Sequence, residues 1–250
     1  MNANSDNVFG HGGITAVVAG GGAVGNAMAQ RLLSAHPENR VFLLARREHE
    51  PPGERMQVIA MDAEQPDTIE RAASAVLART QRVHLLFNSV GLLHDGQMQP
   101  EKRVRDLRPE SFQRAMSVNA LCLPLLATAF TRALKHDQPA MVASLSARVG
   151  SIEDNGAGGW YSYRASKAAH NQLLRTLSRE WRVSHRNTTV VALHPGTVTS
   201  RLSQPFVGPS YPHRLLSPGE CAEHLYGVMA GLTAAQSGQF FDWRGEPVPW

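Results

Sequence analysis

Tyr163 and Lys167 stand four residues apart in the run Tyr163-Arg164-Ala165-Ser166-Lys167. The surrounding Ala-rich stretch reads as helix, so this spacing puts both side chains on one face. A phenol in water titrates near about 10. An ammonium held close favours the phenolate, and such a pair can donate or accept a proton near neutral pH. The same spacing also arises by chance, as a half-buried tyrosine beside a solvated lysine. Tyr161 is a rival phenol, but it lies six residues from Lys167. That places it on a different helix face, where it reads as pocket lining.

About 140 residues upstream, an apolar run over 14–19 leads straight into Gly20-Gly21-Gly22-Ala23-Val24-Gly25 and then into a helical pattern. Gly20, Gly22 and Gly25 have G-x-G-x-x-G spacing. The first two would allow a tight turn and close backbone approach to a pyrophosphate. Gly25 would let helix and strand pack closely, with the helix N-terminus facing the phosphates; Val24, inside the turn, is a further candidate contact. A second apolar run, 41–45, ends in Arg46-Arg47. An acidic residue there would bind a ribose 2′-hydroxyl, whereas arginine suits a 2′-phosphate, which favours NADP over NAD. Arg46 directly follows the strand and is the better candidate; the alternative is two solvated loop arginines. Asp62, after the third run, could accept from the adenine amino group or simply cap its own loop.

These residues can converge only if one parallel sheet positions them. Short apolar runs alternate with longer amphipathic ones, the βαβ signature of a sheet covered on both faces. Strands are predicted over 14–19, 41–45, 58–61, 83–88, 140–145 and 189–193, with a last short one over 239–241. Helices are predicted over 23–35, 66–79, 109–135, 160–183 and 218–231. The expected architecture is α/β, a single Rossmann-like doubly wound parallel sheet flanked by helices, spanning 14–250 behind a loose tail over 1–13. Segments without periodicity, 92–107, 148–159 and 200–217, each follow a strand. They should lie at the carboxyl edge of the sheet, where open α/β folds bind ligands.

Composition agrees with a globular enzyme-sized domain. The 250 residues are 42% hydrophobic and 18% charged, which argues against disorder or a fibrous chain. The formal net charge of +4 is mild and its basic residues are scattered, so nucleic acid is not an expected partner. Cys122 and Cys221 are far apart in apolar helical patterns and read as buried thiols. No apolar run approaches the ~18 residues of a membrane span, and the polar residues 1–13 lack the core of a secretory signal. A cytoplasmic location is the expectation. Histidines are numerous, but no His-x-x-x-His or Cys/His cluster has ligand spacing, so no metal is expected.

With the glycine turn and the Tyr-x-x-x-Lys pair together, the chain resembles the short-chain dehydrogenase/reductase family over 14–250. Other segments fit. Asn88-Ser89-Val90-Gly91 resembles the family's Asn-Asn-Ala-Gly turn, and Asn119 in Ser117-Val118-Asn119-Ala120 its helix asparagine. His194-Pro195-Gly196-Thr197-Val198 resembles the Pro-Gly turn that approaches the nicotinamide. The runs Gly158–Lys167 and Ser237–Phe241 look closest to the C-factor-like branch. The resemblance implies Tyr163 as general acid/base, Lys167 holding the nicotinamide ribose and lowering the Tyr163 pKa, and Asn119 binding a relay water. It implies cofactor contacts from Asn88, Gly91, Pro195, Gly196, Val198 and Ser200, and a homodimer or homotetramer through the helices over 109–135 and 160–183.

Three departures from the family pattern stand out. The glycine turn is one residue shorter and begins Ala19-Gly20. The strand-end pair of serines reads Ser146-Ala147, so the serine that polarises the carbonyl is missing unless Ser146 serves instead. Ser200, with Thr199 beside it, replaces the usual carboxamide-binding threonine. The expected function is an NADP-preferring oxidoreductase acting on a small carbonyl or alcohol substrate. The alternatives are a dinucleotide-binding regulatory protein with little turnover and, less well supported by the short chain, an epimerase or dehydratase. Substrate and reaction direction stay open.

Overall fold

The computed structural model describes residues 7–10, 12–46, 53–209 and 211–250; Arg47 lies outside the described residues. In chain order the elements are β1 (Thr15–Ala19), α1 (Ala23–Ala35), β2 (Arg40–Ala45), β3 (Met56–Ala60), α2 (Pro66–Leu77) and β4 (Leu85–Asn88). There follow α3 (Pro109–Ala115), a π-helical segment (Met116–Leu121), α4 (Cys122–Leu134), β5 (Ala140–Leu145) and α5 (Tyr161–Ser184). The chain closes with β6 (Thr188–His194), β7 (Thr197–Val198), β8 (Leu215–Leu216), α6 (Pro218–Ala230) and β9 (Phe240–Asp242).

Seven strands form one parallel sheet in the order β3-β2-β1-β4-β5-β6-β9. Strands β1, β4, β5 and β6 are almost wholly buried runs of Ala, Val, Leu and Phe, as a sheet covered on both faces requires. On one face α1 and α6 pack through Met28, Leu32, Leu225 and Met229. On the other, α2, α4 and α5 pack through Ile69, Val76, Leu123, Phe130, Leu174 and Trp181. The chain winds outward from β1 to β3, then crosses to β4 on the other side of β1. The carboxyl ends of β1 and β4 therefore flank the switch point of a Rossmann-like fold, and the glycine turn and Ser89 leave the sheet there.

Three expectations need correction. The helix expected over 109–135 is broken by the π-helical segment Met116–Leu121. Pro124, in the first turn of α4, offers no N–H to the carbonyls behind it, Ala120 in the α register and Asn119 in the wider one. The same stretch, Pro109–Leu134, is also long and apolar enough to cross a bilayer, contrary to the reading that no segment approaches that length; 56% of its most apolar window is buried. Leu123, Leu126, Phe130 and Leu134 spend that apolarity on the sheet. Finally, the segment before β1 is not loose where it is described. Asn7 Nδ2 donates to the carbonyls of Met229 (3.0 Å) and Leu232 (2.6 Å), at the end of α6. Val8 is buried in the core beside them. An amide satisfying orphan helix-end carbonyls gives no periodic signal.

Candidate active site

The cofactor end begins at Gly20, whose φ of +104° belongs to glycine. A Cβ on Gly25 would stand 1.8 Å from the Gly20 carbonyl oxygen and 2.6 Å from Ser89 Oγ. Strand, turn and helix are thus in direct contact, which no side chain at 25 would permit. Ser89, not singled out from the sequence, buttresses the turn by donating to the carbonyls of Ala19 (2.9 Å) and Gly20 (3.0 Å). A Cβ on Gly22, by contrast, would meet nothing within 4 Å. Gly22 is the N-cap of α1, no side chain caps it, and the first turn holds no acidic residue. Unclaimed N–H groups and the positive end of the helix dipole make this end of α1 suited to a diphosphate. The residues present fit a dinucleotide. Val24, in that first turn, packs against the core from a half-buried position.

Arg46 is exposed at the end of β2. Asp62, beyond β3, accepts the Glu64 N–H at 3.0 Å through Oδ1, a turn-capping bond. Asn88 links two strands: Nδ2 donates to Ser144 Oγ at 2.9 Å and Oδ1 accepts the Val90 N–H at 3.1 Å. Gly91 sits where the site converges, with Asn119 Oδ1, Lys167 Nζ and Leu202 Cδ1 each 3.9 Å from where its Cβ would be. Across the cleft, the Pro195 carbonyl accepts a long bond from Cys221 Sγ. Gly196 adopts φ +74° with Trp243 against it, and Val198 is buried in β7. Ser200 Oγ is 3.3 Å from Ser203 Oγ, inside a short turn.

Tyr163 and Lys167 share the buried face of α5, as their spacing predicts. Their electrostatics differ from the expectation. Burial pushes the Tyr163 phenol up to about 12 rather than down. Burial also pulls Lys167 down to about 8. Lys167 Nζ donates to the Leu145 carbonyl at 2.9 Å and stands 5.9 Å from the centroid of the Tyr163 ring. Loss of hydration therefore outweighs the field of the ammonium on the phenol. Desolvation likewise holds His170, one turn along α5, neutral at about 3.

Asn119 positions a loop. Its Oδ1 accepts the Leu92 N–H (2.7 Å), and Nδ2 donates to the Leu92 carbonyl (2.8 Å) and to Ser166 Oγ (2.9 Å). Its backbone carbonyl, deprived of a partner by Pro124, is 3.1 Å from His170 Nδ1. Ser146 does not replace the missing serine in this arrangement. Its buried hydroxyl is spent on Asn171 Oδ1 of α5 at 2.5 Å, because strand alternation turns residues 144 and 146 the same way and 147 the other. Position 147 is alanine.

The loops over 92–107, 148–159 and 200–217 meet at the start of α5. Glu101, buried and unnoticed in the sequence, accepts from the Ser162 N–H at 3.1 Å and from the Ser162 hydroxyl, capping the helix from another loop. Its carbonyl takes the Trp160 N–H. Trp160 has φ +53°, the one non-glycine positive φ among the described residues, and follows Gly158 and Gly159 at +65° and +66°. This costly backbone sets the indole 6.2 Å from Tyr163 and 4.9 Å from Phe206, which in turn lies 5.5 Å from His94. His94 Nε2 is 3.1 Å from the Leu202 carbonyl. The wall beside Tyr163 is aromatic, and two loops are latched across it.

A buried ammonium should cost stability. Lys167→Met is expected to raise folding stability at pH 7 by about 1–3 kcal/mol, the desolvation relieved less the lost Leu145 bond. The sign with pH follows from a folded pKa of about 8 against an ordinary 10.5. Between those values the unfolded chain binds more protons, so wild-type stability rises with pH through that window and the variant's advantage fades. Thermal unfolding of both proteins from pH 7 to 10.5 checks this; a destabilised variant at pH 7 contradicts it.

Residues 14–208 match the family described as short chain dehydrogenase. The C-signal protein of Myxococcus xanthus is 33% identical over 137 residues, 55% of this chain and 77% of the relative. The 1-hydroxy-2-glutathionyl-2-methyl-3-butene dehydrogenase of Rhodococcus sp. (strain AD45) is 29% identical over 190 residues, 76% of this chain and 78% of the relative. Among solved structures, NADPH-bound carbonyl reductase from chicken fatty liver superposes with a TM-score of 0.80 at 23% identity, covering 96% of this chain and all of that one.

Proposed function

Because this chain belongs to the short-chain dehydrogenase family and is thereby an NAD(P)-dependent oxidoreductase, we propose that it is an NADP-preferring carbonyl reductase for small substrates with an apolar flank. The observation that carries the reading is the placement of Tyr163 and Lys167 on one buried face of α5, beside Gly91 and across from the uncapped N-terminus of α1. The nicotinamide, when bound, supplies or accepts the hydride.

The chain's own residues then do the rest. The N–H groups at the start of α1 hold the diphosphate across the open side of Gly22, and Arg46 holds the 2′-phosphate. Tyr163, protonated at neutral pH, gives its proton to the carbonyl oxygen. Lys167, poised near 8, exchanges its contact with Leu145 for the ribose hydroxyls and stabilises the phenolate left behind. Trp160 and Phe206 cover the apolar part of the substrate and exclude water. The Rhodococcus relative's name, that of a dehydrogenase, and the chicken reductase's bound NADPH are in keeping with this assignment.

A second reading, a dinucleotide-binding regulatory protein with little turnover, is favoured by Ala147, which leaves the carbonyl oxygen without a second donor. The likeness to C-signal adds to it. A panel of aliphatic and aromatic aldehydes and ketones assayed with NADPH separates the two. Carbonyl-dependent NADPH oxidation supports the reductase; tight NADPH binding with no oxidation across the panel supports the binder.

A further inference from the structure

The turn after β3 and the end of β2 leave the sheet side by side, since Ala45 pairs with Ala60 and the Met61 N–H bonds the Ala45 carbonyl at 2.8 Å. Arg46 and Glu64 therefore share one rim of the cleft. Glu64 does not stand alone there. Arg114, at the end of α3, grips it with a two-pronged contact, Nε to Oε2 and Nη2 to Oε1, both 2.8 Å. Its Nη1 reaches Asp95 Oδ2 at 2.6 Å. These three side chains are only 24–34% exposed. One guanidinium thus spans the loop after β3 and the loop after β4, and leaves the cluster with a single net negative charge. The hydrogen bonds from Arg114 hold the Glu64 carboxyl below its ordinary range, and the Arg46 charge adds to this, so Arg46 and Glu64 lie within each other's fields.

We propose that Arg114 is a specificity-determining residue that sets the preference for a 2′-phosphorylated cofactor from outside the binding site, by neutralising Glu64 beside Arg46. Without Arg114, the rim carries two uncompensated carboxylates. They compete for Arg46 and repel a doubly charged phosphate, while a ribose 2′-hydroxyl is indifferent to them. The loss therefore falls on NADPH and spares NADH. This rests on the placement of the 2′-phosphate at Arg46 proposed above.

The test is a fluorescence titration of NADPH and NADH with wild type, Arg114→Met, Arg114→Lys and the double variant Arg114→Met/Glu64→Gln, at low and high salt. Arg114→Met is expected to weaken NADPH about tenfold at low salt, less at high salt, with NADH unchanged. Arg114→Lys keeps the charge and most of the preference, and the double variant recovers NADPH affinity. Should Arg114→Met not fold, Glu64→Gln alone should tighten NADPH a few-fold without affecting NADH. Equal weakening of both cofactors, or failure of Glu64→Gln to restore NADPH, overturns the proposal and leaves a structural brace. A wild type that binds NADPH no better than NADH, with Arg46→Ala silent, overturns instead the Arg46 reading and this one with it.

Discussion

Tyr163→Phe is expected to lower carbonyl reduction by about 10²–10⁴-fold, the range for losing a positioned general acid, while NADPH binds as tightly as before. The substitution removes only a hydroxyl. The ring keeps its packing beside Trp160 at 6.2 Å and its place on the buried face of α5, so the wall and the helix should not move. The phenol, held up at about 12 by burial, is fully protonated in the free protein at neutral pH, the state a reductase needs. Ser146 cannot take over while its hydroxyl is bound to Asn171, and Tyr161 points from another face. Steady-state rates and a cofactor titration on the same preparation check both halves. Retained turnover would assign the proton to another group and refute the role given to Tyr163.

The second large effect concerns the glycine turn. Gly25→Ala puts a methyl carbon 1.8 Å from the Gly20 carbonyl oxygen, a backbone atom that cannot yield without moving the turn. A cost of about 2–5 kcal/mol in stability and at least a tenfold loss of dinucleotide affinity are expected. Gly22→Ala provides the contrast. Its added carbon meets nothing, so the stability loss should stay near the roughly 1 kcal/mol by which alanine is the poorer N-cap residue. Cofactor affinity should nevertheless fall, because that open side is where the diphosphate would lie. Equal stability loss in both variants would mean the turn serves only the fold.

How much of this was legible before the structure depends on whether the cause was local. The run from β1 through Gly20, Gly22 and Gly25 into α1 was readable because strand, turn and helix each leave a short-range pattern, and α1 spans the predicted 23–35. The alternation of β and α elements placed the three loops at one sheet edge; His94 and Phe206 bring 92–107 and 200–217 together beside Trp160, and Gly159 sets the third against the Glu101 carbonyl. The break in the helix after α3 was hidden: Pro124 sits where a helix start tolerates proline, and its effect falls on carbonyls several residues earlier. Glu101 capping Ser162 joins residues 61 apart in sequence, and Arg114 joins two loops from a helix of its own. No window on the chain shows such partners. The left-handed Trp160 was likewise unreadable, since bulky residues rarely adopt that conformation and the groups against it, the Glu101 carbonyl and the Phe206 ring, are remote in sequence. The pKa expectation for Tyr163 failed for a different reason. It counted the nearby charge and not the depth of burial.

The decisive measurement is a titration of the wild-type protein and Arg46→Ala with NADPH and NADH, read by cofactor fluorescence. Wild type is expected to bind NADPH at least about tenfold more tightly than NADH, the worth of a charge-assisted phosphate contact. Arg46→Ala should remove that preference and leave NADH binding intact. If neither cofactor binds, the shortened glycine turn does not form a dinucleotide site, and the reductase assignment is contradicted at its root.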